Sequence, residues 1–216
     1  MSTQSTKPSS MQSWQKIARR IRVPLGFLTA ALYIYELWRQ APSMQFVAWS
    51  LLLVVPGVWL RAYASGYVKK NAELAVTGPY AHTRNPLYLG SVLIAAGFAL
   101  ALQSCLLAVV LAAFFVIIYV PVIASEERFL RATFANFDLY CSRVPRILPR
   151  ITPAQMPASE PATDSSTPES PASKGSFSFA LYRQHREYNA AIGAALLYLC
   201  LVGLRPLVAA LVHGAR

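Results

Sequence analysis

The sequence predicts an all-α protein, a multi-pass transmembrane helical bundle with a cytoplasmic amphipathic helix. Three observations predict it. Of 216 residues, 55% are hydrophobic and only 13% charged, with a mean hydropathy of +0.40. A soluble domain carries about a quarter charged residues, and a core of this size cannot hide so much Leu, Val and Ala. The apolar residues gather in runs near spanning length, and the cationic residues gather in alternate loops.

The elements follow in order. Residues 1–22 form a polar N-terminal segment, and Met1 to Ser13 lacks the apolar core of a cleavable signal peptide. The first span, 23–38, is short of the roughly 20 residues expected, but Arg22 and Arg39 can snorkel, and Tyr33, Tyr35 and Trp38 suit an interface. The second, 44–63, is long enough, and Pro56-Gly57 predicts a kink. The third and fourth, 87–102 and 104–124, are joined so closely at Gln103 that they must form a tight antiparallel hairpin. Gly90 and Gly97 predict close helix contact within that hairpin.

Basic residues set the orientation. Lys16, Arg19, Arg20 and Arg22 precede the first span; Arg61, Lys69, Lys70 and Arg84 end or follow the second; Arg128, Arg131, Arg143, Arg146 and Arg150 follow the fourth. The positive-inside rule then puts the N-terminus, the 64–86 loop and the region after 125 on the cytoplasmic side of the cell membrane. The net charge of +11 fits anionic lipid headgroups as partners. A duplex reader has no use for long apolar runs, so no nucleic-acid partner is expected.

Residues 126–140 read as an amphipathic helix at the membrane surface: Phe129, Leu130, Phe134 and Phe137 recur at helical spacing among Glu126, Glu127, Arg131 and Asp138. They complete a transmembrane core of residues 23–150. The Pro/Ser/Thr-rich stretch 151–176 reads as a disordered linker. Residues 177–216 form a C-terminal basic segment and a fifth span, Asn189 to about Val212, which Arg205-Pro206 interrupts near the far interface. Cys105, Cys141 and Cys200 lie far apart with no metal-ligand spacing, so neither a disulfide framework nor a metal site is expected.

Two polar segments carry the chemistry. In Thr77-Gly78-Pro79-Tyr80-Ala81-His82-Thr83-Arg84-Asn85-Pro86-Leu87-Tyr88-Leu89-Gly90, a Gly-Pro turn is followed by a second break entering the third span. Pro86 falls near the first helical position, leaving free N–H groups at a positive helix end, where an anionic or carboxylate-bearing cofactor can dock. Taken alone, the segment reads more readily as a loop anchoring its helix at the headgroups. The second segment is Glu126-Glu127, a carboxylate pair at a membrane boundary, able to take a cationic amino group, a sulfonium or a ribose hydroxyl. Its plainer reading is a surface pair of Glu127 with Arg131. Because the spans between them form a hairpin, the two segments emerge on the same side.

From about Leu74 to Pro149 the chain resembles the isoprenylcysteine carboxyl methyltransferase and phospholipid methyltransferase superfamily. The resemblance rests on Gly78-Pro79-Tyr80, Arg84-Asn85-Pro86-Leu87-Tyr88-Leu89-Gly90, the apolar hairpin, Glu126-Glu127, Phe134-Ala135, Phe137 with Tyr140, and Arg143-Val144-Pro145-Arg146 in order. It implies an integral membrane methyltransferase using S-adenosyl-L-methionine and a lipophilic small-molecule or lipid acceptor that enters from the bilayer. It implies cofactor contacts from Leu74, Tyr80, Asn85, Pro86, Tyr88, Glu126 and Glu127, and catalytic roles for Arg84, Glu127 and Arg143. Aromatic faces such as Tyr80 and Tyr88 favour a sulfonium by cation–π attraction. Asn85 replaces the family's usual His, and Val120-Pro121-Val122-Ile123 lacks the Arg that prenylcysteine methylators carry before the glutamates. A carboxylate acceptor would need Arg84, Arg143 or Arg146 instead. O-methylation of the isoprenylcysteine type is the leading expectation and N-methylation of a phospholipid amine the alternative; outside enzymes, the alternative is a membrane scaffold or small transporter.

Overall fold

The computed structural model describes residues 27–39, 42–68, 73–156 and 175–214, with 204–214 described by backbone alone. The polar N-terminal segment, the start of the first span and most of the 151–176 linker lie outside the described residues. Every regular element among those described is helical.

Helix α1 covers 27–39, and α2 runs from Met44 to Ser65 without a break at Pro56. A 3-10 turn, Gly78–Ala81, leads to α3, Pro86–Leu102, with Pro86 in its first turn as expected. Gln103 adopts the left-handed conformation (φ 53°), and the Ser104 hydroxyl caps α4, Cys105–Phe114, by accepting from the Leu107 N–H. That is the tight hairpin the spacing predicted. α4 passes through a π-helical turn, Phe115–Tyr119, into α5, Val120–Thr133. Pro121 supplies the reason: it has no N–H for the carbonyl four residues back, and the widened turn, with Val120 N–H bonded to Phe115 O, absorbs the mismatch.

The expected single amphipathic helix over 126–140 is corrected. Residues 126–133 complete the long helix that begins at Cys105; the chain then turns at Phe134, and a separate α6 covers Phe137–Arg143. The turn swings Phe137 and Tyr140 into one cluster with Val144 and Ala154, against Leu74, Val76 and Leu130. A straight continuation would carry them past it. α7, Phe179–Gln184, and α8, Tyr188–Gly214, follow. α8 continues through Arg205-Pro206, where the sequence predicted an interruption.

The glycines make a second correction. Gly90 and Gly97 pack against α2, not α4: a Cβ on Gly90 would meet the Gly57 carbonyl at 2.7 Å, and one on Gly97 would meet Val54 at 2.4 Å. Gly57 answers from the other side, where an added Cβ would meet the Gly90 carbonyl at 2.8 Å. Backbones of α2 and α3 therefore touch along a stripe of small residues. The main core joins α1, α2, α3 and α8 through Tyr33, Leu37, Val54, Phe98, Leu102 and Leu201. Inside it, the buried Ser50 hydroxyl lies 2.6 Å from the Tyr198 hydroxyl.

Among the described residues two helices, Met44–Ser65 and Cys105–Thr133, are long and apolar enough to cross a membrane; Pro86–Leu102 and Tyr188–Gly203 are shorter apolar helices. Only 22% and 17% of the two most apolar windows are buried inside the protein. Trp49, Leu52, Val55, Val109 and Val116 all face outward. A soluble core helix hides such residues; these present them to a surrounding apolar medium, as in a membrane protein.

Candidate active site

The turn from Tyr80 to Pro86 is shaped by a strap formed of residues 144–154. Arg84 N–H donates to Pro145 O (2.9 Å), Arg150 N–H to His82 O (3.0 Å) and Ala154 N–H to Ala81 O (2.9 Å). Side chains add to the seam: Thr83 donates to Ile147 O (3.0 Å) and Asn85 Nδ2 to Arg146 O (2.9 Å). The Tyr140 hydroxyl donates to Tyr80 O at 2.8 Å. Buried backbone groups of an irregular loop need partners, and the strap supplies them.

On this frame a cavity of about 500 Å³ opens between the turn, the start of α3 and the end of α5. Leu74, Tyr80, Arg84, Asn85, Pro86, Tyr88, Glu126 and Glu127 all line it. The two polar segments singled out in the sequence therefore share one site. Tyr88 donates its hydroxyl to Glu126 at 3.0 Å, and Arg84 stands 3.3 Å from Glu127. Arg143 is not among the lining residues; its guanidinium donates to Gln155 O at 2.7 Å on the exposed side.

Glu127 is buried and held between two guanidiniums. Arg146 donates Nε to both its oxygens (3.0 and 3.1 Å) and bonds Oε2 through a second amino group, while Arg84 faces Oε1. Burial works to raise the Glu127 carboxyl, but the Arg146 hydrogen bonds and the Arg84 charge outweigh it and hold it below its ordinary value. Burial, followed by the nearby Tyr140, Glu126, Glu187 and Tyr88, pushes the Tyr80 hydroxyl far up, so it stays neutral. Arg61 Nε and Arg84 Nε are buried with no hydrogen-bond partner among the described residues.

Among the polar wall residues, Arg61, Tyr119 and Glu73 escaped the sequence reading as site residues. Arg61 was read as a topology signal, yet it lines the cavity and pairs at 2.7 Å with Glu187, which lines it too. Tyr119, on the π-turn, lines the cavity and meets Tyr88 edge-on at 5.4 Å. Glu73 lines it as well. Only Pro121 hinted at the distortion that presents Tyr119. A second cavity of about 820 Å³ separates α3 from α4, walled by Ala95, Ala99, Ala108 and Leu111, and Tyr119 borders both cavities. His82, by contrast, is absorbed in the strap, with Nδ1 2.8 Å from Arg150 O.

Residues 44–136 match the phospholipid methyltransferase family. Among curated proteins, the chain is similar to nickel-cobalt-cadmium resistance protein NccN of Alcaligenes xylosoxydans xylosoxydans and cobalt-zinc-cadmium resistance protein CzcN of Cupriavidus metallidurans. Each is 37% identical over 94 residues, 44% of this chain and 43% of the relative. The chain thus spans less than half the length of the curated relatives it matches. No solved structure matches. The matched segment from Met44 to Asn136 holds both cavity-forming motifs, consistent with the wider isoprenylcysteine and phospholipid methyltransferase superfamily.

Proposed function

We propose that the chain is a multi-pass methyltransferase of the cell membrane that uses S-adenosyl-L-methionine and methylates a lipophilic acceptor at the cytoplasmic face. One observation carries this reading: Tyr88 and Glu126, from the two family motifs, meet at 3.0 Å inside a single cavity of nucleoside-holding size. The donor set fits the cofactor. Glu126 suits an amino group or ribose hydroxyls, Tyr80 and Tyr88 suit a sulfonium, and the guanidiniums of Arg61 and Arg84 on the cavity wall suit an amino-acid carboxylate.

The cofactor supplies an electrophilic methyl group; the chain's own residues orient and shield. Leu74 and Pro86 give apolar walls, and Asn85 fixes the turn through Arg146 O. Arg84 and Glu127 position rather than react, because Glu127 spends its oxygens on two guanidiniums. In-line transfer between held partners needs little else beyond the exclusion of water. The apolar cleft between α3 and α4, meeting the cofactor cavity at Tyr119, is the acceptor's path from the bilayer.

A specific observation favours an amine acceptor over the carboxylate that resemblance to prenylcysteine methylators implies. Among the described residues, Glu73, Glu126, Glu127 and Glu187 line the cavity against Arg61 and Arg84. Arg146 is committed to Glu127, and Arg143 lies off the wall. Among the described residues, the two wall guanidiniums serve the cofactor's own carboxylate and leave no cation for a second. Transfer of tritiated methyl groups into membrane extracts tests both levels. The unmutated chain should label a lipid extract and Glu126→Ala should not; label that resists mild base marks an amine, label that leaves with base marks an ester. Absence of transfer and of cofactor binding in the unmutated chain would sink the reading.

A further inference from the structure

The segment from Gly175 into α8 lies beyond the family match, yet it is bolted to the mouth of the cavity. Ser178 N–H donates to Gly66 O (2.9 Å), and His185 Nδ1 lies 3.1 Å from Ser65 O. Phe177 stacks on Tyr63 (6.0 Å, 14°) and covers Gly66 so closely that a Cβ there would fall 2.3 Å from its ring. Between α7 and α8, Arg186 turns the chain with a left-handed φ of 54°, and the next residue, Glu187, lands on the cavity wall.

Glu187 Oε2 takes a hydrogen bond from Arg61 at 2.7 Å. The other amino group of Arg61 bonds the Leu87 carbonyl (3.2 Å) and the Ser91 hydroxyl. One guanidinium therefore joins α2, the C-terminal segment and the first turns of α3, the turns that bear Asn85, Pro86 and Tyr88. Arg61 and Glu187 are largely enclosed, with side chains 22% and 16% exposed. Removing one charge of so enclosed a pair strands the other.

We propose that Glu187 is a positioning residue of the cofactor pocket: by fixing Arg61 it sets the first turn of α3, so that cofactor affinity depends on the docked C-terminal segment. The proposal rests on reading the cavity as a cofactor site. Glu187 also stands within electrostatic reach of Tyr80, which places it beside the family's own turn rather than at a remote surface.

The test uses the full chain in lipid nanodiscs, with S-adenosylhomocysteine as the titrated ligand and methyl transfer as the second readout. E187Q should weaken binding about tenfold and raise the cofactor KM likewise, with kcat within about twofold, because the reacting groups are untouched. E187D, which keeps the charge at shorter reach, should recover part of the affinity that E187Q loses, whereas loss of packing alone would leave the smaller side chain weaker than the isosteric amide. If E187Q fails to fold, E187D alone is titrated and should bind less tightly than the unmutated chain. Unchanged affinity in the variant titrated, or E187D weaker than E187Q, overturns the proposal while leaving the function intact. No binding by the unmutated chain overturns the functional reading and this proposal together.

Discussion

Tyr88 and Glu126 lie 38 residues apart in sequence, yet hydroxyl and carboxylate meet at 3.0 Å on the wall of one cavity. The contact exists because the α3–α4 hairpin returns the chain to its starting side. It divides the labour of the two residues: Glu126 offers the charge, and Tyr88 aims it. Glu126→Ala should therefore weaken S-adenosylhomocysteine binding at least ~tenfold. Tyr88→Phe should cost about fivefold, since a partly exposed hydrogen bond to a charge contributes about 1 kcal/mol. Isothermal titration in detergent checks the order; equal loss in both variants would remove the division.

Glu127 makes the fold acid-sensitive. Its carboxyl lies below 4.5 in the folded chain because Arg146 and Arg84 offset its burial. The folded state thus binds the proton less readily than the unfolded one, and the stability this carboxylate contributes is complete above about pH 4.5 and lost as pH falls through the depressed value. Glu127→Gln should lower the thermal midpoint near neutral pH, by the equivalent of about 2 kcal/mol. A fully buried pair would cost more, but the Arg146 side chain is half-exposed. The gap between the two proteins should narrow as pH falls below the ordinary carboxylate range. A gap independent of pH would show that packing, not charge, is responsible.

The helices and the composition of the site were legible because each rests on local chemistry. Apolar runs and clustered Arg and Lys mark helices and their ends wherever those helices pack. The Asn85-Pro86 turn and Glu126-Glu127 stand out as polar residues beside apolar runs. Neighbours were not legible. Gly90 and Gly97 announce a close approach, but spacing does not say that α2, rather than α4, approaches. Phe134 and Phe137 keep helical spacing across a turn, because the turn inserts few residues and the pattern cannot register it. Glu187 reaches the cavity only through tertiary docking from beyond the linker, and Arg146, read as a topology signal and a candidate carboxylate anchor, meets Glu127 because the strap places it there.

The α2–α3 seam yields a graded series. A Cβ on Gly90 would meet a backbone carbonyl at 2.7 Å, which can yield only if a helix moves. A Cβ on Gly97 would meet first the Val54 side chain, which has other rotamers, although the Ser50 carbonyl lies 3.0 Å away. Gly90→Ala should thus destabilise by about 2 kcal/mol, in the range of overpacked cores, and Gly97→Ala by less. Thermal unfolding in matched detergent measures both. Because Gly90 sits two residues past Tyr88, Gly90→Ala should also weaken cofactor binding, and Gly97→Ala should not.

The proposed topology puts the two ends of the α3–α4 hairpin on opposite sides of the membrane. Cys105 is exposed at the Gln103 turn, at the start of α4, while Ser142 is exposed on α6 beside the arginine-rich strap. In a chain stripped of its other cysteines, Cys105 should react with a membrane-impermeant maleimide in intact cells. Ser142→Cys, in a background with no native cysteine, should react only after the membrane is opened. The expectation follows from cationic residues staying on the cytoplasmic side: Arg128, Arg131, Arg143, Arg146 and Arg150 surround Ser142, whereas the hairpin turn carries no cation. Labelling of both positions in intact cells would mean that the hairpin does not cross the bilayer, and the apolar cleft between its helices would then have no lipid from which to admit an acceptor.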